Sequence, residues 1–150
     1  MSAPSPGVLV RRFLSASPDR VFAAFADATL VARWLRPSPD IALTVLAFDF
    51  RRGGAYRFAY DVPTGERMVV GGTYSVIEPP SRIVFSWLIE PPDEHAGIDS
   101  EVIVTLAGKD AGTELTIRHT KLGRADADLR HDQGWRGALD LLDARLREEP

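Results

Sequence analysis

Residues 126–146, DADLRHDQGWRGALDLLDARL, place Trp135, Ala138, Leu139, Leu142 and Leu146 at i, i+3, i+4, i+7 and i+11. That spacing lays one apolar stripe along a helix of about five turns. Asp126 and Asp128 in its first turn, and Arg145 and Arg147 in its last, complement the helix dipole. A stripe of this length needs an apolar surface to cover it. Between residues 40 and 120 the hydrophobic period is two, so the partner is expected to be a curved antiparallel sheet wrapped around the helix.

The rest of the chain supplies that sheet in order. Residues 8–14 read as a first strand, preceded by a Pro- and Ser-rich tail, residues 1–7, expected to be disordered. Ser17 is a helix cap with Pro18 at the first helical position, and Val21, Phe22 and Phe25 form the buried face. Asp27 caps a second short helix with Leu30, Val31, Trp34 and Leu35 on one side, ended by Pro37 and Pro39. Strands then follow over residues 41–50, 55–61, 66–78, 82–90, 99–107 and 113–120. Gly71-Gly72 inside the fourth strand is a candidate bulge, and residues 108–112 make the last hairpin turn. Residues 91–98, with two prolines, a glycine and charges, read as a mobile loop that could act as a lid. The chain carries no internal repeat, and residues 8–147 read as a single domain.

A chain of 150 residues buries enough surface to hold a core without covalent staples. There is no cysteine, which excludes a disulfide framework, a thiolate metal site and a Cys nucleophile. The formal charge of −3 gives no basic footprint for nucleic acid. The apolar runs are too short for a membrane span, and the N-terminus has no secretory pattern, so a cytoplasmic protein is expected. No HExxH, His-x-His, phosphate loop or nucleophile elbow occurs, and the reading calls for no metal and no cofactor. Glu78, Asp99, Glu101 and Glu114 fall at strand ends or on the polar phase, as solvated carboxylates do.

Tyr56, Phe58, Tyr74, Phe85 and Trp87 share the concave side of the sheet, and Trp135 meets them from the helix. Two arrangements satisfy these rings: a ligand-sized aromatic cavity, or a core that they fill. His119 points with the core residues of the last strand, and His131 lies one helical turn before Trp135. Each is either a polar contact or acid/base group at the cavity or, respectively, a satisfied core histidine and an exposed one. Ala138 continues the same helix face. His95, in the loop, is expected to face solvent.

Several stretches resemble a known family when taken together in order. These are residues 12–18, Arg33-Trp34-Leu35, Gly53-Gly54, Gly72-Thr73-Tyr74, residues 79–87, residues 112–120, and Gly134-Trp135 through Leu139 to Leu142. They look like the bacterial proteins related to the activator of heat-shock protein 90 ATPase, within the START-like (SRPBCC, Bet v-like) superfamily. The resemblance implies an α+β helix-grip fold: about seven antiparallel strands wrapped around a long C-terminal helix, with two short helices after the first strand. It also implies a cavity between sheet and helix for a hydrophobic or aromatic small molecule. Binding rather than catalysis is the leading expectation, with Tyr56, Phe58, Tyr74, Phe85, Trp87, His119, His131, Trp135 and Ala138 as ligand-binding residues. A cyclase- or hydrolase-type enzyme using a cavity histidine is one alternative, and a chaperone-interacting module is another. A homodimer is a further candidate partnership.

Overall fold

The structure is a computed structural model and describes residues 6–148. Most of the expected N-terminal tail, residues 1–5, lies outside the described residues. Gly7 is held, its N–H donating to the Asp128 carboxylate at 3.2 Å.

The first strand, β1 (Val8–Leu14), leads into α1 (Pro18–Ala26) and α2 (Ala28–Trp34). Both helices begin where the sequence places their caps. The Ser17 hydroxyl accepts from the Arg20 N–H, and the Asp27 carboxylate accepts from Thr29 and Leu30 N–H at 2.8 and 3.1 Å. Six strands follow: β2 (Ala42–Phe48), β3 (Ala55–Asp61), β4 (Arg67–Glu78), β5 (Arg82–Ile89), β6 (Asp99–Lys109) and β7 (Gly112–Thr120). They form one antiparallel sheet in the order β1-β7-β6-β5-β4-β3-β2. The two helices carry the chain from one edge of the sheet to the other, and every later connection is a hairpin. The chain closes with α3 (Ala125–Glu148), whose stripe of Trp135, Ala138, Leu139, Leu142 and Leu146 is buried throughout. Val10, Leu14, Val102, Val104, Leu115 and Ile117 of the sheet belong to the same buried core as that stripe. No helix among the described residues is long and apolar enough to cross a membrane.

The curl of the sheet has a different origin from the expected one. The register slips at Ser75, between the pairs Tyr74–Phe85 and Val76–Val84, and again in β2 between Val45 and Ala47. Each slip inserts one extra residue and bends its strand. At Gly71-Gly72 there is no slip. Gly72 is required instead by close approach, because a Cβ there would overlap the Ser86 carbonyl.

The final hairpin is tighter than the five-residue turn expected. Lys109 pairs with Gly112, so only Asp110 and Ala111 lie outside the ladder, at φ 48° and 64°. Two successive positive φ values match the twist of a two-residue hairpin but place an alanine Cβ in the left-handed region. Ala111→Gly is therefore expected to stabilise the fold by about 0.5–1 kcal/mol, the relief of strain exceeding the added freedom of the unfolded chain. A midpoint shift in urea denaturation measures it; a loss of stability would contradict the strain account.

Residues 91–98 are not a free lid. Asp93 makes a two-pronged ion pair with Arg130 of α3 at 2.7 and 2.8 Å. His95, expected to face solvent, is buried at 2% exposure. Its Nδ1 accepts from Arg130 at 2.9 Å, leaving Nε2–H to donate to Asp126 at 3.1 Å. The loop is thus a strap across the start of α3. Asp93 is held below its usual carboxylate range chiefly by the Arg130 hydrogen bonds, and Asp126 by His95 and then Arg124.

Candidate functional site

A hollow of about 300 Å³ opens between the N-terminal half of α3 and the strands beneath it. The helix contributes Arg130, His131, Gln133, Gly134, Trp135 and Ala138. The segment after α2 forms the opposite wall with Leu35, Arg36, Pro37 and Ile41. Tyr60 and Val62 at the end of β3, Met68 on β4 and Trp87 on β5 complete the lining. Two glycines on α3 set the spacing of the walls. A Cβ on Gly137 would run into the Pro37 carbonyl, so glycine there lets the loop touch the helix backbone. A Cβ on Gly134 would meet only the Pro37 Cβ, at 3.8 Å. Tyr60 ties the loop down from the other side, its hydroxyl donating to the Leu35 carbonyl at 2.9 Å.

Along the inner wall of the hollow stand Trp87, Trp135 and His131, with His119 behind them, and the polar atoms of these four rings are satisfied within the fold. The Trp87 indole N–H donates to His131 Nε2 at 3.2 Å, and His131 Nδ1–H donates to the Ala127 carbonyl at 2.8 Å. The Trp135 indole N–H donates to His119 Nδ1 at 3.0 Å. His119 Nε2–H then donates to the Ser100 hydroxyl at 2.8 Å, which itself donates to the Trp87 carbonyl. An indole N–H can only donate, so each tryptophan fixes its histidine in a neutral tautomer. Burial, reinforced by His131 beside it, depresses the His119 pKa to about 3. His131 is also depressed, again mainly by burial, with its bond to Ala127 opposing the shift. Every ring nitrogen of the pair is engaged within the fold.

The nine residues expected to form a single aromatic cavity separate into two groups of four, with His119 in neither. Trp87, His131, Trp135 and Ala138 line the hollow. Tyr56, Phe58, Tyr74 and Phe85 do not: they pack together as filled core, with Tyr56–Phe58 centroids 4.7 Å apart and Tyr56–Phe85 5.7 Å apart. Phe48 and Phe50 close that cluster against Tyr74. The Tyr56 hydroxyl spends its proton on the Ser86 carbonyl at 2.6 Å, and burial raises its pKa. His119 sits behind Trp135 rather than in the hollow, and His131 is buried, not exposed.

Ten lining residues were not anticipated: Leu35, Arg36, Pro37, Ile41, Tyr60, Val62, Met68, Arg130, Gln133 and Gly134. Three carried a usable signal. Leu35 sits on the apolar stripe expected of the second helix, Tyr60 shares the face of Tyr56 and Phe58, and Gly134 lies three residues after His131 and four before Ala138 on the helix face already assigned to the interior. The others lie in loops, at strand ends or at the edge of the helix stripe, where no period marks them.

A seven-stranded antiparallel sheet gripping a long C-terminal helix, with two short helices between its edge strands, defines a START-like helix-grip protein. The chain belongs to the family described as Activator of Hsp90 ATPase homolog 1-like protein, whose model matches residues 15–147. A crystal structure of a Chromobacterium violaceum protein is 31% identical, with a TM-score of 0.85 over 95% of this chain and 96% of that one. An AHSA1 protein from Silicibacter pomeroyi is 25% identical, with a TM-score of 0.83 over 95% and 99% of the two chains. A Mycobacterium smegmatis protein, 22% identical with a TM-score of 0.77 over 95% and 91%, shares the fold. Among curated proteins the chain has no match.

Proposed function

We propose that this protein binds a hydrophobic or aromatic small molecule in the hollow between α3 and the sheet. The observation that carries the reading is the hollow itself: about 300 Å³, walled mainly by Trp87, Trp135, Met68, Leu35, Ile41 and Ala138. Pockets of this size and lining hold small ligands by apolar burial, with a few polar groups fixing orientation. The engaged nitrogens of His119 and His131 favour binding over proton transfer, because neither ring offers a free acid or base to a guest.

Gly134→Leu tests the site. A Cβ at this position meets no backbone within 4 Å and the position lines the hollow, while replacing an interior helix glycine favours the helix by up to about 1 kcal/mol. A thermal-shift screen of aromatic and alkyl compounds should give ligands for the unaltered chain. The variant should lose them at equal or higher stability. A screen without ligands, or ligands that bind the variant equally well, would overturn the reading.

A further inference from the structure

We propose that the hollow is built for an amphiphilic anion, an apolar body carrying a single carboxylate, and that Arg36 receives the carboxylate. The inference rests on the ligand-binding reading above and adds the charge of the ligand to it.

Among the described residues lining the hollow there are two arginines and no aspartate or glutamate. The arginines are not equivalent. Arg130 is answered by the protein: both of its terminal nitrogens bond the Asp93 carboxylate, and the remaining contacts go to His95 and to the Met68 sulfur. Arg36 is held by backbone carbonyls alone. Its Nε donates to the Arg33 carbonyl at 3.3 Å, and its Nη1 donates to the Pro39 and Ile41 carbonyls at 2.8 and 3.2 Å. These acceptors fix the guanidinium plane without cancelling its charge. Among the described residues no carboxylate lies within ion-pair distance of Arg36, and its Nη2 has no protein partner.

A partly buried arginine whose guanidinium is already held by three backbone carbonyls loses little freedom on meeting an anion, which is the arrangement that favours binding. The apolar wall of Trp87, Trp135 and Met68 selects the body of the guest, and Arg36 selects its head through a charge-assisted bond. A single uncompensated cation matches a monoanion; a dianionic phosphate would leave one charge unpaired beside an apolar wall. An alkylammonium would meet two guanidinium groups and no carboxylate.

The competing account makes Arg36 only an anchor for the loop after α2. Calorimetric titration at about pH 7.5, where a carboxylic acid is ionised, separates the two with decanoate, 1-decanol and decylammonium as probes. The unaltered chain should bind decanoate about tenfold or more tighter than decanol and should not bind decylammonium. Arg36→Gln should bring decanoate and decanol to near parity while leaving decanol affinity within about twofold, and Arg36→Lys should restore part of the preference. Equal affinity for decanoate and decanol in the unaltered chain overturns the proposal and leaves the ligand-binding reading intact. So does a preference that survives Arg36→Gln, or a variant that loses both probes alike. Failure of all three probes to bind overturns both readings.

Discussion

Truncating Trp135 to alanine is expected to destabilise the protein by about 3–5 kcal/mol, read as a lower urea midpoint. The ring is 4% exposed, packs with its centroid 5.5 Å from that of Trp87, and is the donor that satisfies His119 Nδ1. Alanine removes the packing and the donor together. Trp135→Phe separates them, because most of the buried ring remains while the N–H is lost. That variant leaves a buried acceptor without a partner, which costs about 1–3 kcal/mol. Replacing His119 by leucine in the same chain removes the orphaned acceptor. The two changes should therefore be non-additive, with a coupling of more than about 0.5 kcal/mol in a double-mutant cycle. A loss below about 1 kcal/mol for Trp135→Ala would mean that the helix is held mainly by Leu139 and Leu142, and that the tryptophan only decorates the hollow.

Periodicity made most of the fold legible, and its reach ended where contacts become non-local. The stripe from Trp135 to Leu146 and the alternation of Leu115, Ile117 and His119 each specify which side is buried, because a side chain's direction follows from its position in a helix or strand. Ser17 and Asp27 were readable as caps because a cap acts on amides two or three residues away. Gly71-Gly72 was readable as special but not as to why. A missing Cβ permits either a bulge or a close approach, and only the position of the Ser86 carbonyl on the next strand decides between them. His95 misled for a related reason. Its neighbours are those of an exposed loop, while the groups that bury and satisfy it, Asp126 and Arg130, lie 31 and 35 residues along the chain.

The candidate site divides along the same line. Its helical wall was visible in His131, Trp135 and Ala138, which fall on the stripe. The opposite wall, Leu35, Arg36, Pro37 and Ile41, belongs to an irregular segment placed by the Tyr60 hydroxyl and by the absence of a Cβ on Gly137. Period two also showed that Tyr56, Phe58, Tyr74 and Phe85 face inward, without showing whether the space before them was occupied. Phe48 and Phe50, from the neighbouring edge strand and the turn after it, occupy it. What remains open is displaced toward the start of α3, beside the two histidines.

Those histidines make the stability of the fold depend on mild acid. His119 and His131 are both shifted down, His119 to about 3, so the folded state keeps them neutral at pH values where an unfolded chain binds a proton to each. A histidine titrates near 6.5 when unfolded, so below that pH the unfolded state holds more protons and stability falls as pH falls. Above about pH 7 both states are neutral and the effect vanishes. Between pH 7 and 5 each histidine that stays neutral in the fold removes about 2 kcal/mol, so the pair should remove up to about 4 kcal/mol. Ordinary carboxylates titrate near pH 4, which leaves this window to histidine. Urea denaturation at about pH 7, 6 and 5 measures the slope, and His119→Gln should reduce it by the share of one proton, even though the variant starts from lower stability. A slope unchanged by that substitution, or equal stability at both ends of the window, would show that burial does not keep His119 neutral in the fold. The linkage also bears on the hollow. The Trp87 N–H can donate to His131 Nε2 only while that nitrogen is unprotonated, so acid strong enough to charge His131 breaks the bond that seats Trp87 in the wall.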